Sequence, residues 1–100
     1  MGKVVDITDK LSFDQNPCLV IRGKQLEVNA DAPTMLKLIG IMKADGSGVE
    51  MENLNEAYEL ILPEKSRKTI NEMKLSFKDW STVIESAIEL IMGDDEPGEQ

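Results

Sequence analysis

The sequence predicts an α+β domain, mainly α-helical, in which an N-terminal β-hairpin is followed by three to four packed amphipathic helices. Three observations carry this. Two apolar-alternating runs flank a Gly-containing dipeptide at residues 23–24. Apolar residues recur at helical spacing through most of residues 32–92. Hydrophobic residues make up 41% of the 100-residue chain, the share of a folded globule rather than of a disordered chain. A chain of this length holds one domain. It divides into an N-terminal arm (1–16), a single globular domain (17–93) and an acidic tail (94–100) expected to be disordered, since it is too poor in apolar groups to fold.

Within the arm, Val4-Val5-Asp6-Ile7 reads as a short strand, and Leu11 and Phe13 alternate with polar neighbours, which lays part of the arm on the core. The hairpin spans residues 18–29. A type II′ turn centred on Gly23-Lys24 pairs Ile21 with Leu26 and Leu19 with Val28 on an apolar face. It sets Arg22 opposite Gln25 and Val20 opposite Glu27 on the other. Two strands alone are marginal, so helices must cover the apolar face.

The first helix, residues 32–44, is capped by Asp31, with Pro33 in its first turn. Its stripe is Met35, Leu38, Ile39 and Met42, widened by Leu36 and Ile41, and turn chemistry at Asp45-Gly46-Ser47-Gly48 stops it. The second, 51–62, buries Met51, Leu54, Ala57, Tyr58 and Ile61 and ends before Pro63. The third, 64–74, is short and polar, anchored by Ile70 and Met73. The fourth, 77–92, starts at Ser76 with Asp79 in the capping-box position. Phe77, Trp80, Val83, Ile84, Ala87, Ile88 and Ile91 form its apolar face, and Gly93 closes it as a C′ residue.

Composition excludes most chemistry. The absence of His removes the commonest general base and metal ligand. One cysteine, Cys18, allows neither an intrachain disulfide nor a multi-Cys zinc site, and without His it has no activating base. Asp45-x-Ser47-x-Val49 with Glu56 imitates a calcium loop, but Val49 and Glu50 occupy positions that require an oxygen ligand and a glycine. The Gly46-Ser47-Gly48 turn lacks the lysine and preceding strand of a phosphate loop. No acid lies in an apolar segment that would raise its pKa for acid–base work. The expectation is a protein without catalytic residues, cofactor or metal.

The net charge of −8 is unevenly spread. Residues 1–40 are balanced, 41–63 carry −4, 64–78 carry +3 through Lys65, Arg67, Lys68, Lys74 and Lys78, and 79–100 carry −7. An overall negative field argues against a nucleic-acid partner. The basic stretch is read as a solvated face complementing nearby acids. No segment approaches the ~20 apolar residues of a membrane span, and no secretory signal is visible, so a cytoplasmic location is expected. Met35, Met42, Met51, Met73 and Met92 either fill the core or supply the adaptable surface that thioethers suit. The same two readings hold for Trp80.

The order of parts resembles the small tail assembly chaperones of long-tailed bacteriophages and prophages of Gram-positive hosts. The resemblance runs over residues 17–93: the hairpin Cys18 to Asn29, the helix Asp31-Ala-Pro-Thr-Met-Leu-Lys-Leu, the stretch Tyr58-Glu-Leu-Ile-Leu-Pro-Glu-Lys, and Met73-Lys-Leu-Ser-Phe-Lys-Asp-Trp-Ser leading into the last helix. It implies a non-enzymatic role: coating the helical tape-measure protein, keeping it soluble, and recruiting tail-tube subunits during virion assembly, with the chaperone absent from the finished tail. It also implies a longer frameshifted product, for which the acidic tail from Asp94 is the natural switch point. Expected partners are therefore the tape-measure protein, the tail-tube protein and further copies of the chain, with neither nucleic acid nor membrane. The surface expected to make those contacts lies on the last two helices around Ile70, Met73, Phe77 and Trp80. An alternative is a small acidic regulatory module, a DNA mimic or sequestering protein. A third is an acyl-carrier-like protein, although Ser47 and Ser76 both lack the Asp-Ser-Leu context of that family.

Overall fold

The computed structural model describes residues 2–12 and 15–93. Two antiparallel strands, β1 (Cys18–Ile21) and β2 (Lys24–Glu27), precede four helices: α1 (Ala32–Ile41), α2 (Leu54–Ile61), α3 (Glu64–Glu72) and α4 (Phe77–Met92). The fold is the α+β, mainly helical one that the sequence predicts. Phe13 and the acidic tail at 94–100 lie outside the described residues.

The hairpin forms with a different register. The turn is Arg22-Gly23, both with positive φ (53° and 80°), rather than Gly23-Lys24. Two successive positive φ values make a type I′ turn, whose twist matches that of the strands it joins. Leu19 therefore pairs with Leu26 and Ile21 with Lys24. The shift from the expected register is two residues, so no side chain changes face. Leu26 and Val28 are still buried and Leu19 and Ile21 half-buried against the core. Val28 continues the pairing beyond β2, its N–H donating to Pro17 O at 2.9 Å.

Asp31 caps α1 as expected, accepting from Thr34 N at 3.3 Å and from Thr34 Oγ1 at 2.8 Å. The helix ends three residues early, at Ile41, because Met42 turns extended and pairs with Val49 across the 45–48 turn. Lys43 N closes that turn on Gly48 O at 2.7 Å. The expected stripe is also too wide. Leu38 and Thr34 point inward, whereas Leu36 (70% exposed) and Ile39 (54%) face out. Met51 belongs to a 3₁₀ turn, Met51–Asn53, and stays in water. The four buried residues of α2 are Leu54, Ala57, Tyr58 and Ile61. Helix α3 stops at Glu72, and Lys74 at φ 55° reverses the chain into α4.

Ser76 caps α4, its Oγ accepting from Asp79 N at 3.1 Å. Gly93 ends the helix at φ −91°, so it is not the left-handed C′ residue expected from its position. The arm also departs from expectation. Residues 4–7 form no strand, Val4 is 93% exposed, and Leu11 is half exposed rather than laid on the core.

One cluster holds these elements together. Its largest fully buried members are Val28, Leu38, Ile61, Leu62, Ile70 and Ile84, so the hairpin exit and every helix contribute. Long-range polar contacts lock the layers. Asn29 takes two carbonyls at the C-terminal end of α2, with N to Ile61 O at 2.7 Å and Nδ2 to Leu60 O at 3.3 Å. Such end carbonyls have no partner within their own helix. Ser66, buried on α3, donates from Oγ to Glu27 O at 2.8 Å and fixes α3 to β2. Among the described residues no helix is long and apolar enough to cross a membrane.

Candidate partner-binding surface

The four residues singled out in the sequence lie along the α3–α4 junction, at unequal depths. Ile70 is 2% exposed and belongs to the core, so it supports the junction from beneath and does not itself reach a partner. Met73, the C-cap of α3, and Trp80, in the first turn of α4, are half-buried. Phe77, the first residue of α4, is 56% exposed.

The aromatic residues are joined. Phe77 and Trp80 lie with ring centroids 5.8 Å apart at 39°, and Trp80 meets Tyr58 of α2 edge-to-face at 5.2 Å and 62°. Aromatic pairs in such geometries contribute roughly 0.5–1.5 kcal/mol beyond the area they bury. Tyr58 is itself fixed: its hydroxyl lies 2.8 Å from Asn71 Oδ1 and 3.2 Å from Arg67 O, both on α3. Phe77 therefore rests on a ring that is itself packed edge-to-face on the buried Tyr58.

Burial pushes the Tyr58 phenol above its ordinary value, so it stays protonated at neutral pH. Asp31 and Asp45 are held below the usual carboxylate range by hydrogen bonds from Thr34 and Ser47 respectively, as cap and turn residues. Ser47 N donates to Asp45 Oδ1 at 2.9 Å, which makes this carboxylate part of the turn. Beside the aromatic stack, a shallow depression of about 500 Å³ is lined by Arg67, Lys68, Asn71 and Lys74 with Glu64 and Glu72. Among the described residues no group of three or more Cys, Asp or Glu is placed to hold a metal ion.

Two features of the surface escaped sequence reasoning. The first is the outward pair Leu36 and Ile39 on α1, both assigned to the core stripe. The signal was present: six apolar residues among eight positions cannot all face one side of a helix. The second is the placement of the methionines. None of Met35, Met42, Met51, Met73 or Met92 is fully buried, and the core is built from Leu, Ile, Val, Ala and Tyr58 instead. Val20, Phe77, Leu90 and Met92 are exposed as well. No protein-family model, curated protein or solved structure matches the chain.

Proposed function

We propose that the protein is a non-enzymatic tail assembly chaperone of a long-tailed phage or prophage. It binds the tape-measure protein in the host cytoplasm and helps to recruit tail-tube subunits around it. The observation that carries this reading is the Phe77–Trp80 pair, an exposed ring braced on a half-buried one. An amphipathic client helix presents apolar side chains at i, i+3, i+4 and i+7, and a firm aromatic ledge with Met73 nearby in sequence is what such a stripe packs against. The charge of −8 keeps an assembly of many copies from aggregating.

Co-expression tests this reading. The full chain should keep an otherwise insoluble tape-measure protein in the supernatant, and Phe77→Ala should return most of it to the pellet while the variant itself stays folded. Equal recovery with Phe77→Ala would remove the aromatic ledge from the client surface.

A further inference from the structure

A groove of about 600 Å³ runs between the C-terminal half of α4 and the turn that joins Met42 to Val49. Its α4 wall is one stripe of the helix. Glu85, Ile88, Glu89 and Met92 stand at i, i+3, i+4 and i+7, so an acidic row and an apolar row lie side by side. Met42 joins the apolar row from the opposite wall. The rest of that wall is bare backbone. Gly46 and Gly48 line it at φ 76° and 131°, conformations that side chains rarely adopt, and the space where a Cβ would stand is open at both.

The groove is negative for three reasons. Glu85 and Glu89 are exposed, and among the described residues neither carboxylate has a hydrogen bond or an ion pair. The last turn of α4 holds no basic residue, so nothing offsets the negative end of the helix dipole. The sequence after Gly93 brings only acids, Asp94, Asp95, Glu96 and Glu99.

We propose that this groove receives a cationic amphipathic helix of another protein. The apolar stripe of that helix packs on Met42, Ile88 and Met92. Two of its Lys or Arg side chains, one turn apart, meet Glu85 and Glu89, which have the same spacing on α4. Charge complementarity selects this occupant over the two that the chain itself could offer. Residues 94–100 carry no base, so in the groove they would set like charge on like. The basic helix of a second copy is α3, and its apolar residue Ile70 is buried in its own core, which leaves no apolar stripe to present. The groove begins at Thr82, beyond the first turn of α4 that carries Phe77 and Trp80. The inference therefore does not rest on the chaperone reading.

Fluorescence anisotropy of two labelled synthetic peptides with the full chain tests it. In the first peptide leucines recur at helical spacing with lysines one turn apart on the flank, and in the second the same residues are scrambled. The first should bind, with a dissociation constant that rises about tenfold or more in Glu85→Gln/Glu89→Gln. Glu56→Gln/Glu59→Gln removes the same charge from α2, outside the groove, and should leave binding unchanged. All four glutamates are exposed, so both double variants should fold. Failure of the first peptide to bind, equal binding of the scrambled one, or equal loss in the two double variants overturns the proposal. Sedimentation velocity of the chain alone covers the remaining occupant. Self-association that Glu85→Gln/Glu89→Gln abolishes would place a second copy in the groove and overturn the proposal as well.

Discussion

Trp80 on α4 stands edge-to-face on Tyr58 of α2, with ring centroids 5.2 Å apart, so the aromatic surface at the α3–α4 junction is continuous with the core. Burial raises the Tyr58 phenol above its ordinary value of 10.0. Its neutral form is thus favoured in the fold, and the stability this represents is complete below pH 10. It is lost as the pH rises through the folded-state value, because the unfolded chain then releases the proton more readily. Urea denaturation at pH 8 to 11 should show wild-type stability falling beyond pH 10, with a shallower decline in Tyr58→Phe.

Ser81 carries a buried hydroxyl with no hydrogen-bond partner, the only such side-chain atom among the described residues. An unmet buried hydroxyl is a cost that alanine removes, and alanine is also the better helix former. Ser81→Ala is expected to stabilise the protein by about 1 kcal/mol, seen as a rise in Tm of about 4–8 °C in a thermal melt.

Arg22 occupies the first turn position at φ 53°, a conformation that disfavours a long L side chain. Asn-Gly is the preferred pair for this turn. Arg22→Asn should therefore gain about 0.5–1 kcal/mol in chemical denaturation. A type II′ turn at Gly23-Lys24 would give no such gain.

The Ser66 hydroxyl links α3 to Glu27 O across 39 residues of sequence. Ser66→Ala should cost about 1 kcal/mol, and hydrogen exchange should show β2 opening more often relative to α4.

The sequence was most legible where local chemistry decides the outcome. Asp31 and Ser76 cap their helices through Thr34 and Asp79, Pro63 ends α2, and α4 has the bounds that its periodicity gives. It was least legible where a distant contact decides. Helix α1 stops early because Met42 finds Val49, and Leu36 and Ile39 face out because Leu38 and Thr34 fill the space that α2 leaves. The hairpin register depended on Arg22 accepting a positive φ, which its side chain alone would not favour. At the candidate surface, the segment was visible as the anchors Ile70 and Met73 of a polar third helix followed by the broad apolar face of the fourth. That Ile70 is core while Phe77 is exposed was not, since both are apolar residues at helical spacing and only tertiary packing separates them.

The most direct measurement is a pull-down with the tagged full-length chain co-expressed with its native gene neighbours, prey being identified by mass spectrometry, and with Phe77→Ala beside the wild type. Recovery of a very long helical protein, with or without a tail-tube subunit, is expected from the wild type and should fall severalfold in the variant. Recovery of a basic DNA-binding protein in its place, or of no long helical protein by folded wild-type bait, would contradict the chaperone role.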